Sequence, residues 1–215
     1  MTQLAWALLA AAAAFAAIDW AGVVRSDLRL RWIGKPAAIL LLIGTGLALD
    51  PLQSAQRNVF VAALLLSLIG DVCLLLEGER WFLTGLAAFL GAHIAYGDGF
   101  LVGGLHSDEP LVYGAAGAAV VSLLVGGRIV VAVIRTGRPV LAVAVTLYLA
   151  AITAMVALAA ASGNPLALGG AALFYVSDGM IAWNRFVRPL VWAPLPIMVT
   201  YHAGQAALVL SLASR

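Results

Sequence analysis

Two aspartates stand where hydrocarbon side chains would be expected, and their type and spacing are what could do chemistry. Asp71 lies in SLIGDVCLLL and Asp178 in FYVSDGMIAWNRF, 107 positions later in a chain of 215 residues. A carboxylate at the centre of a lipid-spanning helix costs about 2.5–3.5 kcal/mol even on the mildest scales, so such a residue marks a functional site by default. Two carboxyl groups facing one substrate divide the labour of acid–base hydrolysis. One donates a proton while the other, ionised, stabilises a cation or activates water. A carboxyl group withdrawn from water holds its proton to higher pH, and a neighbouring carboxylate extends that, so one of a pair can stay protonated near neutrality. The competing reading is a buried polar pair that ties helices together.

Other polar residues recur around these two. Asp71 is followed by a turn and then His93 and Tyr96, at 22 and 25 residues. Asp178 is followed by a turn and then Tyr201 and His202, at 23 and 24. Asp71 is six residues from Glu77 and Asp178 seven from Arg185, so at ~1.5 Å per residue both lie roughly 9–10 Å inside the ends of their helices. Asp19, six residues before Arg25, falls at the same level. Three carboxylates at one depth could share a cavity, although Asp19 beside Trp20 could equally snorkel to the interface. His93 and His202 sit roughly 18 Å deep. Two His and two Asp invite a metal site, yet there is no HExxH and no Cys pair, and the depths differ by about two turns. Hydrogen-bonded histidines, no metal and no cofactor are expected. Tyr96, Tyr201 and Gln205 are pocket-lining candidates or interhelical hydrogen-bonding groups; Tyr201 and Gln205 share a face at i, i+4. Lys35, just before Pro36, suits a phosphate headgroup or a plain basic anchor. Asp98, near an outer helix end, and the turn Glu77, Glu79 and Arg80 read as solvated.

The elements that must position these residues follow from composition. The chain is 64% hydrophobic and 10% charged, with mean hydropathy +1.05, where soluble domains carry about 25% charged residues. This excludes a soluble protein and, with basic residues scattered between apolar runs, a nucleic-acid binder. The single cysteine, Cys73, excludes a disulfide framework. The first seventeen residues lack a basic n-region and read as a retained helix rather than a signal peptide. Windows of about 20 apolar residues mark eight spans: 4–22, 36–49, 58–76, 81–103, 111–134, 140–161, 166–184 and 190–212. The fifth is interrupted at Gly126-Gly127-Arg128. The prolines all fall in loops or first turns, where a missing N–H is harmless. The fold expected is an all-α integral membrane bundle of eight transmembrane helices, one domain over 1–215, with two four-helix halves as a parallel repeat.

Loop charges set the orientation. Loops after helices one, three, five and seven hold Arg25, Arg29, Arg31, Lys35, Arg80, Arg128, Arg135, Arg138, Arg185 and Arg188; the other side has only Arg57 and Arg215. Ten against two puts those loops in the cytoplasm and both termini outside it, as in a bacterial inner membrane.

The segments LSLIGDVCLLL, FLTGLAAFLGAHIAY, VSDGMIAWNRF and TYHAGQAAL, with Lys35-Pro36, resemble the motifs of the YhhN-like lysoplasmalogenase family of membrane proteins. The resemblance implies eight helices and hydrolysis of the vinyl ether of lysoplasmalogens to a fatty aldehyde and a glycerophospho-ethanolamine or -choline. It places Asp71 and Asp178 at the family's two motif aspartates. His202 departs from the pattern, which more often has a second tyrosine there. The partners implied are a lysophospholipid substrate and membrane lipid. Depth agrees, since the ether of a lysophospholipid sits just below the headgroup. A proton-coupled small-molecule transporter would also want intramembrane carboxylates, but with broken helices at the midplane that the prolines do not supply. A metal-dependent membrane lipid hydrolase is the other alternative.

Overall fold

The computed structural model describes residues 1–105 and 108–213, and those residues are overwhelmingly helical. The helices are α1 (Gln3–Arg25), α2 (Leu28–Ala48), α3 (Ser54–Leu75), α4 (Glu79–Gly103), α5 (Asp108–Val121), α6 (Gly127–Ile134), α7 (Pro139–Ala161), α8 (Pro165–Phe186) and α9 (Pro194–Leu210). A π-helical turn, Ser122–Gly126, joins α5 to α6 without a break, so the nine segments make eight rods. Six of the helices are long and apolar enough to cross a bilayer. Helices of that length and composition are those of a multi-pass membrane protein.

Start and stop signals explain most boundaries. Asn164 caps α8 by accepting from the amides of Leu166 and Ala167, with Pro165 at the first helical position. Gly137 and Gly163 take positive φ values of 71° and 64° in the turns before and after α7, a conformation that L side chains resist. Two expectations need correction. Pro36 lies well inside α2 rather than in its first turn, because Asp27 accepts from the amides of Arg29 and Leu30 and starts the helix eight residues earlier. The Gly126-Gly127-Arg128 run does not interrupt the fifth rod. Its extra residue is absorbed in the π turn, and Arg128 is helical, with an exposed side chain reaching back to the carbonyl of Leu124.

Helices pair in sequence as α1–α2, α3–α4 and α8–α9, while α5 packs on α7. Contacts α2–α3, α4–α7, α7–α8 and α9 against α1 and α2 close seven helices into a ring, with α5 and α6 outside against α7 and α8. The ring inverts the soluble pattern. On α3 the buried face carries Ser67, Gly70 and Asp71, while Leu65 and Ile69 on the other face are about half exposed. With hydrocarbon as solvent, polar side chains must find partners inside. The Thr2 hydroxyl donates to the carbonyl of Ala48, and Pro51 pairs with Ala213. Both ends of the chain therefore lie at the end of the bundle opposite the 3–4 and 7–8 rod connections.

Close helix approach depends on glycine at two seams, Gly34 of α2 against the backbone of Asp19 on α1 and Gly170 of α8 against α9. A Cβ on Gly170 of α8 would stand 2.9 Å from both the carbonyl of Gly204 and the amide nitrogen of Leu208 on α9, backbone atoms that cannot swing aside. Gly169, next to it, has open space. Gly170→Ala is expected to cost about 1–3 kcal/mol, whereas Gly169→Ala changes stability by less than ~1 kcal/mol; thermal denaturation of the two variants in detergent separates them.

Candidate functional site

Each aspartate is held by groups from other helices. Asp71, fully buried on α3, has Lys35 of α2 at 3.0 Å from Oδ1. Its Oδ2 accepts from the hydroxyl of Tyr201 on α9 at 2.7 Å. Behind Tyr201 the chain of bonds continues, for Gln205 donates to the Tyr201 hydroxyl at 3.3 Å and accepts from Tyr96 of α4 at 2.6 Å. The Lys35 side chain is only 4% exposed, so Lys35 and Asp71 form a buried ion pair. Such a pair holds only while both charges are present.

Asp178 on α8 is built differently. Its Oδ2 accepts from the hydroxyl of Tyr148 on α7 at 2.5 Å, and His93 of α4 places Nε2 3.0 Å from the same oxygen. His93 Nε2 also lies 2.9 Å from the Tyr148 hydroxyl. The side chain of Asp178 keeps 12% exposure, against none for His93, and its Oδ1 has no hydrogen-bond partner among the described residues. Phe174, buried one turn below, packs edge-on against both His93 and Tyr201, at 4.7 and 5.4 Å between ring centroids.

Both aspartates line the same cavity, about 940 Å³ counting its open mouth. Lys35, Tyr148 and Tyr201 line it too, among walls of Leu74, Phe82, Leu86, Phe89, Ile129, Ile152 and Phe186. Phe82 begins α4 and Phe186 ends α8, so the cavity runs from the carboxylates toward the helix ends that carry the basic loops. Its lining is largely apolar, with two acidic groups in it.

The remaining expected site residues lie elsewhere. His93, Tyr96 and Gln205 stand behind the aspartates rather than on the cavity wall. His202 faces another way, accepting from the indole N–H of Trp20 at 3.1 Å and lining a small hollow between α1, α2 and α9. Consecutive helical residues differ by 100°, so Tyr201 and His202 cannot both face the centre. Asp19 is fully buried rather than snorkelling, with Oδ1 3.3 Å from Nε of Arg31, and it does not border the cavity. Lys35 meets a carboxylate instead of standing free for a phosphate. Asp98 is exposed. Among the described residues no group of three or more His, Cys, Asp or Glu side chains gathers as a metal site would need.

Tyr148 was not among the expected residues. It stands in VLAVAVTLYLAAITAMVALAAA, and a phenol in so apolar a helix needs a buried partner for its hydroxyl, which is the signal that was there to read. Tyr148→Phe removes the shortest hydrogen bond to Asp178, which in a charged or shared-proton setting is worth about 1.5–3 kcal/mol. The expected result is a turnover about 10- to 100-fold slower and a melting temperature lower by several degrees, measured by steady-state kinetics beside a melting curve.

The protein-family model described as the YhhN family matches residues 30–212. Human lysoplasmalogenase TMEM86B is 32% identical over 186 residues, 85% of this chain and 76% of that protein. A lysoplasmalogenase of Mycobacterium bovis is 33% identical over 179 residues, 79% of this chain and 65% of the relative. Human lysoplasmalogenase TMEM86A is 30% identical over 80% of this chain and 72% of its own. No solved structure matches the chain.

Proposed function

Since the chain belongs to the YhhN family, we propose that it is a lysoplasmalogenase, an intramembrane ether hydrolase acting on alkenyl lysophospholipids. The observation that carries this reading is that Asp71 and Asp178, from opposite halves of the sequence, line one largely apolar cavity. Asp178 is the proton donor. The residue lines the cavity, and Tyr148 and His93 fix Oδ2 and leave Oδ1 without a hydrogen-bond partner among the described residues. Oδ1 delivers a proton to the alkenyl carbon that does not bear oxygen, leaving an oxocarbenium ion on its neighbour. Asp71, ionised against Lys35, stabilises that cation, as the paired carboxylate does in glycoside hydrolysis. Water adds to the cationic carbon and gives its proton back to Asp178. The hemiacetal then collapses, its hydroxyl proton passing to the glycerol oxygen, to a fatty aldehyde and a glycerophospho-alcohol.

Lys35 and Tyr201 are the residues we place nearest the substrate after the aspartates. His93, Tyr96 and Gln205 act through the carboxylates they orient, while Asp19 and His202 hold α1 to its neighbours. All eight rods cross the bilayer as one unit over residues 1–215, with the cavity mouth on the cytoplasmic leaflet and both termini outside, in a bacterial inner membrane. Crossed bonding supports a parallel repeat of four rods. Asp71 of the third rod bonds Tyr201 of the eighth, and Asp178 of the seventh bonds His93 of the fourth. The test is to incubate the purified protein with 1-alkenyl lysophosphatidylethanolamine or -choline and measure fatty aldehyde. Aldehyde formed in proportion to protein is expected. None from either headgroup would overturn the proposal.

A further inference from the structure

Against two rings of the cavity wall lies a cation that the catalytic reading does not use. Arg185, in the last turn of α8, lies over Phe82, with its guanidinium carbon 3.6 Å from the ring centroid and 5.9 Å from that of Phe186. Both rings line the cavity. Among the described residues Arg185 has no carboxylate partner. Arg138, at the start of α7, is near enough for the two charges to oppose each other, and it is tied instead to Glu79. A basic residue at a helix C-terminus is ordinary, since it meets the negative end of the helix dipole. Its register here is not ordinary. Arg185 follows Asp178 by seven positions, which places it ~10 Å farther along α8 and within about 20° of the same face.

We propose that Arg185, braced on Phe82 and with Arg138 beside it, binds the phosphodiester of the lysolipid and so sets which bond reaches Asp178. This rests on the hydrolase reading above and adds to it a headgroup-recognition site. In an alkenyl lysophospholipid the oxygen-bearing alkenyl carbon lies six bonds from phosphorus, about 7–8 Å in an extended chain at ~1.5 Å per bond. With the phosphate at the guanidinium, that carbon falls at the level of Asp178, and the hydrocarbon tail continues along the apolar wall. Arg185 is exposed, and its guanidinium carries the forked N–H donors that can take two phosphate oxygens at once. Lys35 is committed to Asp71, so the phosphate is read at the rim and not in the depth.

The test measures binding apart from turnover. A saturated ether analogue, 1-O-alkyl lysophosphatidylethanolamine, has no double bond to protonate and should bind the native protein without reaction. Arg185→Ala should weaken that binding about 10- to 100-fold, as for a charge-assisted hydrogen bond, and Arg185→Lys should restore part of it. The discrimination between this analogue and phosphate-free 1-O-alkylglycerol should shrink by the same factor, while the melting temperature stays near that of the native protein. Inorganic phosphate and glycerophosphoethanolamine should compete only at far higher concentration than the lipid. Equal binding by Arg185→Ala and the native protein would overturn the proposal, as would displacement by inorganic phosphate at the lipid's own concentration. Absence of aldehyde from the alkenyl substrate with binding still dependent on Arg185 would instead overturn the hydrolase reading alone.

Discussion

Asp178→Asn releases fatty aldehyde about 10²–10⁴-fold more slowly than the native protein, the range spanned by loss of a general acid. The amide keeps the size of the carboxyl group and can still meet Tyr148 and His93, so the loss reports on the proton and not on collapse of the cavity. Asp71→Asn falls in the same range, because an amide cannot stabilise the oxocarbenium ion as a carboxylate does. Residues that act as one unit give non-additive losses. The double variant is therefore expected to be about as slow as the slower single variant, rather than slower by the product of the two. Both singles should retain affinity for the saturated ether analogue, since neither holds the phosphate. Rates of aldehyde release from the four proteins, with binding measured beside them, check all of this.

Lys35→Met is expected to be the most destabilising single change at the site. Lys35 and Asp71 are both sealed from solvent, and removing one member of a buried pair leaves the other charge uncompensated, typically at a cost of about 3–5 kcal/mol. Asp71→Asn added to Lys35→Met removes that stranded charge and should recover a good part of the stability without recovering activity. A thermal-denaturation cycle over the native protein, the two single variants and the double variant measures the coupling. A loss in the double variant equal to the sum of the two single losses would mean that the two groups do not depend on each other.

The eight rods and the burial of Asp71 within an apolar one were legible in the sequence, because an acidic residue in an apolar span has few explanations. Partners were less so. Taking Pro36 as the start of the second helix left Arg31 and Lys35 in a loop. With the helix capped at Asp27 they fall one turn apart on one face, where Arg31 meets Asp19 and Lys35 meets Asp71. His202 was grouped with Tyr201 by adjacency, whereas a step of 100° sends it to α1. The spacing of Tyr201 and Gln205 already marked the face that bonds inward. Tyr148 went unread for the opposite reason, since a span with so little charge drew no attention. Which helices close the ring, and hence that His93 serves Asp178 rather than Asp71, is a matter of long-range packing that no local pattern encodes.

Protonation of the alkenyl carbon by Asp178 is the step from which the chemistry follows, and isotope tracing tests it directly. Turnover is run in D₂O and, separately, in H₂¹⁸O, with the aldehyde trapped as it forms. The expected products are an aldehyde with one deuterium on the carbon next to the carbonyl, and a glycerophospho-alcohol whose freed hydroxyl carries no ¹⁸O. ¹⁸O in the glycerol hydroxyl would mean that the bond is broken from the glycerol side, and an aldehyde without that deuterium would mean that no exchangeable proton is delivered to the alkenyl carbon; either result would contradict the account.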